Sequence, residues 1–439
     1  VGTDDGRVHI TRDDGGSWAD ITPRDMPEYG TVNRLEVSHH DPGRAFLAVQ
    51  RYRMDDWRPY VFRTNDYGES WELLTDGSNG IPADHWVRVV REDDVQPGLL
   101  YAGTEFGMFV SFNDGARWQP LQMNLPATPI MDLKVHRGDL AVATQGRSFW
   151  ILDDVTPLRE LAAEAATARE PGAYGVGPVR LFTPRDVARG RASPPMSEMD
   201  LTLPDPLPEG ALLSYVVTEP VEGLGLEVVD ARQRVVARWQ AGSALSSDPG
   251  FHRLAWPLRY QEHGGVKAPP GDYRVRLTWE GGSDERSFQV LLNPLDPSIT
   301  LADYEEQFRV SWEVQETNQE IRDAIQSIRS IREQAREVLA KGRSAKAELG
   351  ALADMADSMD ARLLPFESEL TSVDDPTVPT GEKRPEGGGL DREYRALFGH
   401  LNSGGGYGPG GSEGRPTAGA MEKKRDLDQV WADLRGRLE

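Results

Sequence analysis

Two aromatic and three charged side chains lie close together in the sequence, at Tyr52, Asp55, Asp56, Trp57 and Arg58. Aromatic rings beside carboxylates and guanidinium groups can contact the faces and hydroxyl groups of a sugar, or the side chains of a peptide. We expect a long loop inserted between two strands, and we predict that Tyr52, Trp57 and Arg58 bind a ligand. A solvated loop with one packed tryptophan is the alternative.

Glu105 and Arg147 are a second pair of residues that could contact a ligand. They occupy corresponding turns in two similar segments, 103–110 and 143–150, each with a strand, a glycine turn and a second strand. Corresponding turns of a repeat can face a common surface, so we add both residues to the predicted binding set. A surface ion pair between them is the alternative.

Several kinds of chemistry are excluded or left without support by the residue types. The chain has no cysteine, which removes thiol nucleophiles and thiolate metal sites. His39, His40 and Asp41 suggest metal ligands, but Asp41-Pro42-Gly43 is typical of a turn. The 71 acidic residues supply many carboxylates for a glycosidase and single out none. We therefore predict no metal and no cofactor, and we assign no catalytic residue.

Charge and hydropathy limit the partners. The formal net charge is −22 and no basic run is longer than Lys423-Lys424-Arg425, so nucleic acid is not an expected partner. No apolar run reaches the roughly 18–20 residues of a membrane span. At 439 residues, the chain is expected to contain about three domains.

An eight-residue pattern, [S/T]-x-D-x-G-x-x-W, occurs three times, with Asn in place of Asp in the last copy. The copies are Thr11–Trp18, Thr64–Trp71 and Ser111–Trp118. Their tryptophans lie roughly 50 residues apart, which is the length of one four-stranded propeller blade. The repeat therefore predicts consecutive blades of a β-propeller.

We predict that the motif residues are structural. The side chains of Asp13, Asp66 and Asn113 would accept hydrogen bonds from turn amides, and Gly15, Gly68 and Gly115 would adopt a conformation that is costly for other residues. Trp18, Trp71 and Trp118 would be buried between adjacent sheets. Catalysis by the Asp residues is not expected, because the motif hairpin lies away from the propeller axis.

The motifs resemble the Asp-box (BNR) repeats of sialidases, xyloglucanase-type glycosidases and sortilin-like propellers. Residues 103–118, continuing through 124–126 to 146–154, are similar to the final blades of large bacterial sortilin-like, glycosyl-hydrolase-like BNR-repeat proteins. That group often has His where this chain has Gln145. The resemblance implies the C-terminal portion of such a protein, with a protein or carbohydrate ligand.

The remainder of the chain predicts a change of architecture after the propeller. Tyr273, Val275 and Leu277 alternate with polar residues, as in a half-buried strand. Apolar residues at three- and four-residue steps over 314–338 and 349–370 predict paired helices, although Pro365 could end or kink the second one. An intermolecular coiled coil is the alternative to an intramolecular bundle.

The predicted fold class is mainly β with an α tail: a partial Asp-box propeller of about three blades, an Ig-like β-sandwich and a C-terminal helical hairpin or bundle. The predicted domains are propeller blades at 1–154, a linker at 155–199, an Ig- or fibronectin-III-like sandwich at 200–297, an antiparallel helical hairpin at 298–370, a Gly/Pro-rich linker at 371–420 and a terminal helix at 421–439.

The chain opens inside a repeat, at Gly2-Thr3, so we expect further blades upstream in the same parent chain. Any signal peptide would lie there, and an extracellular or periplasmic location is expected. The leading function is non-catalytic binding of a protein or glycan. The alternative is part of a glycoside hydrolase whose catalytic carboxylates lie mainly in upstream blades.

Overall fold

The structure, a computed structural model, describes residues 1–166, 177–190, 209–242, 244–344, 350–371, 389–402 and 414–438. The chain forms two compact units. The first comprises Val1–Arg185, Ser214–Pro220 and Asp248–His252, and the second comprises Asp186–Leu213, Val221–Ser247 and Arg253–Glu439. The chain is mainly β with a helical C-terminal part, which confirms that much of the predicted fold class.

The sheets of the first unit are antiparallel, and each is built from strands that follow one another in the chain. The strands are β1 (His9–Ile10), β2 (Ala19–Asp20), β3 (Thr31–Val37), β4 (Ala45–Arg51), β5 (Asp56–Thr64), β6 (Glu72–Leu73), β7 (Val87–Glu92), β8 (Leu100–Thr104), β9 (Met108–Ser111), β10 (Gln119–Pro120), β11 (Ile130–His136), β12 (Asp139–Thr144) and β13 (Phe149–Leu152). Their orders are β1-β2, β3-β4-β5-β6, β7-β8-β9-β10 and β11-β12-β13. Successive up-and-down sheets of this kind make the fold propeller-like.

The core of this unit lies between successive sheets. Phe46 and Val61 of one four-stranded sheet pack with Val90 and Leu100 of the next, and all four side chains are buried. The middle strands β4 and β8 are therefore covered on both faces, which explains why they are almost continuously apolar instead of alternating. Each fully buried side chain of this size contributes about 1.5–3 kcal/mol.

The three motif tryptophans differ in burial. Trp118 is 1% exposed and its Nε1 donates to the carbonyl of Leu74 at 3.3 Å. Trp71 is half-buried and donates to the carbonyl of Ile21 at 2.7 Å. Trp18 is 50% exposed, so the prediction that all three are buried is wrong for this residue. Trp71 and Trp118 each pack on the sheet that precedes them, whereas no described sheet precedes β1 and β2.

After the third large sheet, the first unit continues through a helix and a strand. Helix α1 (Thr156–Ala165) begins with Pro157 in its first turn and packs Leu158, Leu161 and Ala162 against the third sheet. Strand β14 (Val179–Leu181) pairs antiparallel with residues 215–217. Helix α1 and strand β14 therefore lie within the predicted linker 155–199.

The second unit contains a five-stranded mixed sheet. The strands of the unit are β15 (Val187–Ala188), β17 (Gly225–Asp230), β18 (Val235–Gln240), β20 (Arg259–Tyr260), β21 (Val266–Lys267), β22 (Gly271–Trp279) and β23 (Gly282–Leu291). Two further strands, β16 (Ala211–Val217) and β19 (Gly250–Trp256), contribute residues to both units. The large sheet has the order β15-β23-β22-β17-β18. Tyr273, Val275 and Leu277 are buried along β22, which confirms the predicted alternation.

Four helices complete the second unit: α2 (Leu301–Ser344), α3 (Gly350–Leu370), α4 (Leu390–Asn402) and α5 (Ala418–Leu438). Ile321 of α2, Leu370 of α3, Tyr394 of α4 and Trp431 of α5 belong to one buried core, so α5 packs with the α2–α3 hairpin. Pro365 lies inside α3 without ending it.

The continuation of α3 past Pro365 has a tertiary cause. Glu367 is buried and accepts from Arg329 Nε at 2.7 Å and from Arg332, while Phe366 packs on the helical core. These contacts oppose the cost of about 3 kcal/mol for an interior proline. Leu349 and the predicted linker segments 191–199, 372–388 and 403–413 lie outside the described residues, as do residues 200–208 of the predicted sandwich.

Candidate functional site

The three motif turns share one hydrogen-bond pattern. The hydroxyls of Thr11, Thr64 and Ser111 accept from the glycine N–H four residues later, at 2.8, 2.8 and 2.9 Å. The Oδ1 atoms of Asp13, Asp66 and Asn113 accept from the backbone N–H four residues later, at 2.8, 2.9 and 2.9 Å. Hydrogen bonds lower the pKa of Asp13 and Asp66 to about 2, and the largest effect comes from the hydroxyl of Ser17 on Asp13 and of Ser70 on Asp66. Such carboxylates hold their own turns and have no proton to donate near neutral pH.

The motif glycines explain how the turns approach neighbouring sheets. Gly68 and Gly115 have φ angles of 91° and 87°, where a side chain is strained. A Cβ on Gly68 would lie 2.5 Å from Ile21, and one on Gly115 would lie 2.7 Å from Leu74. The motifs therefore position sheets, and any ligand site must be sought at other loops.

Tyr52 links the β4–β5 turn to the next sheet. It begins a single 3-10 turn that Asp55 closes, with the Asp55 N–H donating to the Tyr52 carbonyl at 3.0 Å. The Tyr52 ring stacks on Trp86, with centroids 4.5 Å apart and planes inclined by 16°. Trp86 is buried immediately before β7. The turn of one sheet is thereby anchored on its neighbour.

Arg88 extends this stack to the β8–β9 turn. Its guanidinium carbon lies 4.2 Å from the Trp86 ring centroid, and Nε and Nη2 donate to one carboxylate oxygen of Glu105 at 3.0 and 2.7 Å. The ionic partner of Glu105 is thus Arg88, which corrects the alternative of an ion pair with Arg147. Strand pairing explains this choice, because β7 runs beside β8 and brings Arg88 to that turn. Arg147 is exposed in the β12–β13 turn.

Trp57 and Arg58 lie at the start of β5, which corrects the prediction of a long loop. Asp56 is buried beside them and accepts from Arg58 Nε and Nη2 at 2.9 and 2.8 Å and from the Tyr60 hydroxyl at 2.8 Å. These bonds, first that from Arg58, hold the pKa of Asp56 well below its usual range. Burial raises the pKa of Tyr60 to about 12, and the hydrogen bond to the Asp56 carboxylate is the next largest cause. The Arg58 guanidinium therefore binds a carboxylate of its own strand, β5.

Two exposed rings lie next to Tyr52 and His85. Trp57 lies 6.4 Å from Tyr52, and Phe106 lies 4.7 Å from His85, measured between ring centroids. Trp57 and Phe106 are both exposed. We call the following residues the loop cluster: Tyr52, Trp57, His85, Trp86, Arg88, Glu105 and Phe106. It offers one exposed ring beside Tyr52, a second exposed ring beside His85, and the ordered pair of Arg88 and Glu105.

Four members of the loop cluster were missed from the sequence, namely His85, Trp86, Arg88 and Phe106. A signal was available in the repeat. In an up-and-down sheet, the start of the first strand and the turn between the second and third strands lie at the same end. The aromatic pair before β7 therefore shares an end with Glu105, and also with the β4–β5 turn of the preceding sheet.

Glu36 and Asp132 form a second arrangement of interest, on the first strands of two sheets. Both accept from the guanidinium of Arg91 on the strand between them, Asp132 at 2.8 Å. Burial raises the pKa of Glu36 to about 7, against the lowering effects of Arg34 and Lys134. A carboxyl group that holds a proton near neutral pH beside a second carboxylate can serve acid–base chemistry.

Glu36→Gln is expected to reduce the loss of stability between pH 5 and pH 8. With a folded-state pKa of about 7 against the ordinary 4.5, the proton on Glu36 favours the folded state at low pH. That contribution is lost as the pH rises through 7, and it amounts to at most about 3 kcal/mol. Urea denaturation at both pH values measures it, with the exposed Glu69→Gln as control. Equal pH dependence in wild type and Glu36→Gln would contradict the raised pKa.

The second unit has a groove of about 730 Å³ between its sheet and α2. Its most buried polar groups already have partners. Asp230 accepts from Arg234 Nε at 2.7 Å and from the Tyr260 hydroxyl at 2.9 Å. The Arg234 guanidinium lies 5.2–5.6 Å from the ring centroids of Tyr260, Phe308 and Trp312. An aromatic cage filled by the protein's own arginine is a packing device, so the loop cluster is the stronger candidate site.

Metal and membrane features were also sought in the part of the chain that the structure describes. No group of His, Asp and Glu there could hold a metal ion. No helix there has both the length and the apolar character needed to cross a membrane.

Comparison with known proteins finds similarity only at the level of structure, since no family model and no curated protein matches this chain. An ancestral GH74 enzyme is 15% identical over 56% of this chain and 31% of its own, with a TM-score of 0.25. The GH74 enzyme of Niastella koreensis is 12% identical over 64% of this chain and 37% of its own, with a TM-score of 0.22. The extracellular domain of a one component system from B. thetaiotaomicron is 11% identical over 60% and 36%, with a TM-score of 0.21.

These structures have β-propeller-type folds. This chain spans between 31% and 37% of their length. TM-scores this low carry no conclusion about its activity.

Proposed function

We propose that this chain is the binding portion of an Asp-box propeller protein and that its loop cluster recognises a carbohydrate. The observation that carries the proposal is the pair of exposed rings in the loop cluster, Trp57 beside Tyr52 and Phe106 beside His85. A flat ring offers a large apolar surface at low conformational cost, and the apolar face of a sugar can pack on it.

Polar groups in the cluster supply the hydrogen bonds that orient such a ligand. Arg88 and Glu105 hold each other in a fixed geometry and retain further donor and acceptor capacity. Among the described residues of the cluster, Trp86 Nε1 is buried and has no hydrogen-bond partner. A buried donor or acceptor of this kind costs about 1–3 kcal/mol unless water or a ligand satisfies it.

Binding of the full chain to a panel of oligosaccharides and polysaccharides, followed by calorimetry on the best ligand, tests the proposal. The double substitution Trp57→Ala and Phe106→Ala is expected to weaken binding at least tenfold, about 1.4 kcal/mol. Trp18→Ala is the matched control, because Trp18 is equally exposed but lies in a motif turn. Unchanged affinity in the double variant, or binding of peptides with no binding of sugars, would reject the carbohydrate assignment.

The alternative is part of a glycoside hydrolase, and Glu36 with Asp132 is the observation that favours it. A glycosidase needs an acid that is protonated at working pH and a second carboxylate roughly 5–9 Å away. Release of reducing sugar by the chain, abolished by Glu36→Gln and by Asp132→Asn, would support hydrolysis. Against it, Arg91 lies between the two carboxylates and binds both.

The finer architecture is proposed on the same basis. The two complete four-stranded sheets and the three-stranded sheet correspond to about three blades, with β1 and β2 as the end of another. The strands at 209–291, apart from residues 214–220 and 248–252 of the first unit, are assigned to an Ig-like scaffold domain. The other domain boundaries given by the sequence are kept, except that α1 and β14 belong to the first unit and α4 to the helical core. An extracellular or periplasmic location and upstream blades as a partner of this portion belong to the same proposal. Non-catalytic binding requires no cofactor.

A further inference from the structure

Part of the α2–α3 hairpin has no third helix against it among the described residues. Arg437, near the end of α5, lies 5.0 Å from the Phe366 ring centroid and pairs with Glu369 at 2.9 Å. Ile328 is the last residue of α2 in the helical core. We call the portion of the hairpin beyond these contacts, residues 331–344 of α2 and 350–362 of α3, the distal arm.

The distal arm is held together by ionic contacts between its two helices. Arg332 Nε donates to Asp360 at 2.6 Å, and Arg336 lies 3.9 Å from the same carboxylate. The Arg332 side chain is largely buried by these contacts. The two helices therefore stay paired and present a fixed surface.

The apolar seam that builds the helical core continues into the distal arm without cover. Val310, Ala324, Ile331 and Val338 share one heptad position of α2. Val310 is fully buried and Ala324 packs on the core, whereas Ile331 is exposed and Val338 is 52% exposed. On α3, Phe366 packs on the core, and Leu352, two heptads earlier, is exposed. A seam with this spacing is built to be buried against another helix.

We propose that the distal arm packs against the distal arm of a second copy of this chain and forms an antiparallel four-helix bundle. Segments 372–388 and 403–413, which connect α3 to α4 and α4 to α5, are rich in Gly and Pro and carry no apolar heptads in their sequence. A second copy, in contrast, brings the same seam in the complementary orientation, because a two-fold axis makes the interface self-complementary.

The charges of the arm favour this occupant. In a two-fold antiparallel arrangement, α2 of one copy lies beside α3 of the other. Arg332 and Asp360 pair with each other within one arm. The remaining charges make the α2 portion net positive and the α3 portion net negative, with Arg336, Lys341 and Arg343 against Glu333 and Glu337 in α2, and Asp354 and Asp357 against Arg362 in α3. Opposite signs therefore meet across the interface, which fixes its orientation.

Sedimentation velocity of the full chain tests the proposal. The monomer mass is 48.7 kDa. The arm is shorter than a standard interface requires, so we expect a dissociation constant on the order of 10 µM and a mass that rises toward the dimer between about 1 and 100 µM. Because the seam is apolar, the dimer should persist in 0.5 M salt. The Debye length is then about 4 Å, so a purely ionic association would be weakened.

The double substitution Ile331→Glu and Leu352→Glu is expected to keep the chain monomeric over that range. Leu364→Glu is the matched control, since Leu364 is also exposed on α3 but lies on the side opposite Phe366. Helix content and thermal unfolding should match the wild type in all variants, because the replaced residues are exposed. A wild-type chain that stays monomeric at 100 µM, or a dimer unaffected by the seam substitutions, would overturn the proposal.

Cysteine cross-linking gives a second measurement that does not depend on affinity. The chain contains no cysteine, so any intermolecular disulfide reports on the introduced residue alone. A mixture of Val338→Cys and Leu352→Cys chains is expected to form mixed disulfide dimers on mild oxidation. Leu364→Cys in place of Leu352→Cys should not. Equal cross-linking of Leu352→Cys and Leu364→Cys would also reject the apolar seam as the interface.

Discussion

Trp118→Ala is expected to lower the free energy of unfolding of the first unit by about 3–5 kcal/mol, the usual cost of removing a buried tryptophan. The ring is 1% exposed in the core between the two four-stranded sheets, and its Nε1 donates to the Leu74 carbonyl. Its removal opens a cavity between sheets, and the Leu74 carbonyl keeps only the Asn79 side-chain amide as a side-chain donor, at 2.8 Å. Hydrogen exchange of the β4, β7 and β8 amides measures the loss within this unit.

Trp18→Ala is the control for this prediction, and it should change stability by less than about 0.5 kcal/mol. The two residues occupy the same position of the same motif, so the comparison isolates the neighbouring sheet as the variable. Trp71→Ala should fall between them, because Trp71 is half-buried against Ile21. Equal effects for Trp18 and Trp118 would contradict the inference that the preceding sheet determines the contribution of the motif.

The motif turns are the part of this structure that sequence reasoning predicts best, and the reason is their locality. The Asp13 bond closes over four residues, from its own carboxylate to the Ser17 N–H, and the same closure recurs at Asp66 and Asn113. No distant residue is needed to complete it. Burial of the tryptophan that ends each motif depends on a neighbour, which is why the same sequence position is buried at 118 and exposed at 18.

The loop cluster could be predicted only in part because its contacts join different sheets. Tyr52 and Trp57 stand out by composition, but the ring on which Tyr52 stacks belongs to the next sheet. Likewise, Glu105 is recognisable in its turn, whereas its partner Arg88 is set by the pairing of β7 with β8. Composition identifies candidates, and the register between strands and sheets determines which of them meet.

The helices show the opposite balance between local and tertiary information. The heptad spacing predicts α2 and α3, and the local rule at Pro365 argues against the end of α3. The structure follows the heptad, because Phe366 and Leu370 pack on the core and Glu367 forms buried ion pairs. The cost of one proline inside a helix is therefore outweighed when several residues after the proline make tertiary contacts.

Arg189→Met is expected to destabilise the second unit by about 2–4 kcal/mol, because two buried acceptors would each lose a charged hydrogen-bond donor. Arg189 is 2% exposed and donates to the Ala268 carbonyl and to Gln307 Oε1, both at 2.7 Å. Gln307 in turn donates to the Leu401 carbonyl at 2.8 Å. This chain of hydrogen bonds connects the end of β15, the end of β21, α2 and α4.

The experiment that isolates this connection is a double-substitution cycle read by hydrogen exchange in α4 and by thermal unfolding of the helical signal. Gln307→Leu should also destabilise, because Leu401 then loses its donor. Arg189→Met combined with Gln307→Leu should cost less than the sum of the two single changes, since each already breaks the bond between them. Arg232→Met, at an exposed arginine of the same unit, is the control and should change stability by less than about 0.5 kcal/mol. Strict additivity in the cycle, or an Arg189→Met chain as stable as the wild type, would mean that the bond between Arg189 and Gln307 does not help to hold the helices to the strands.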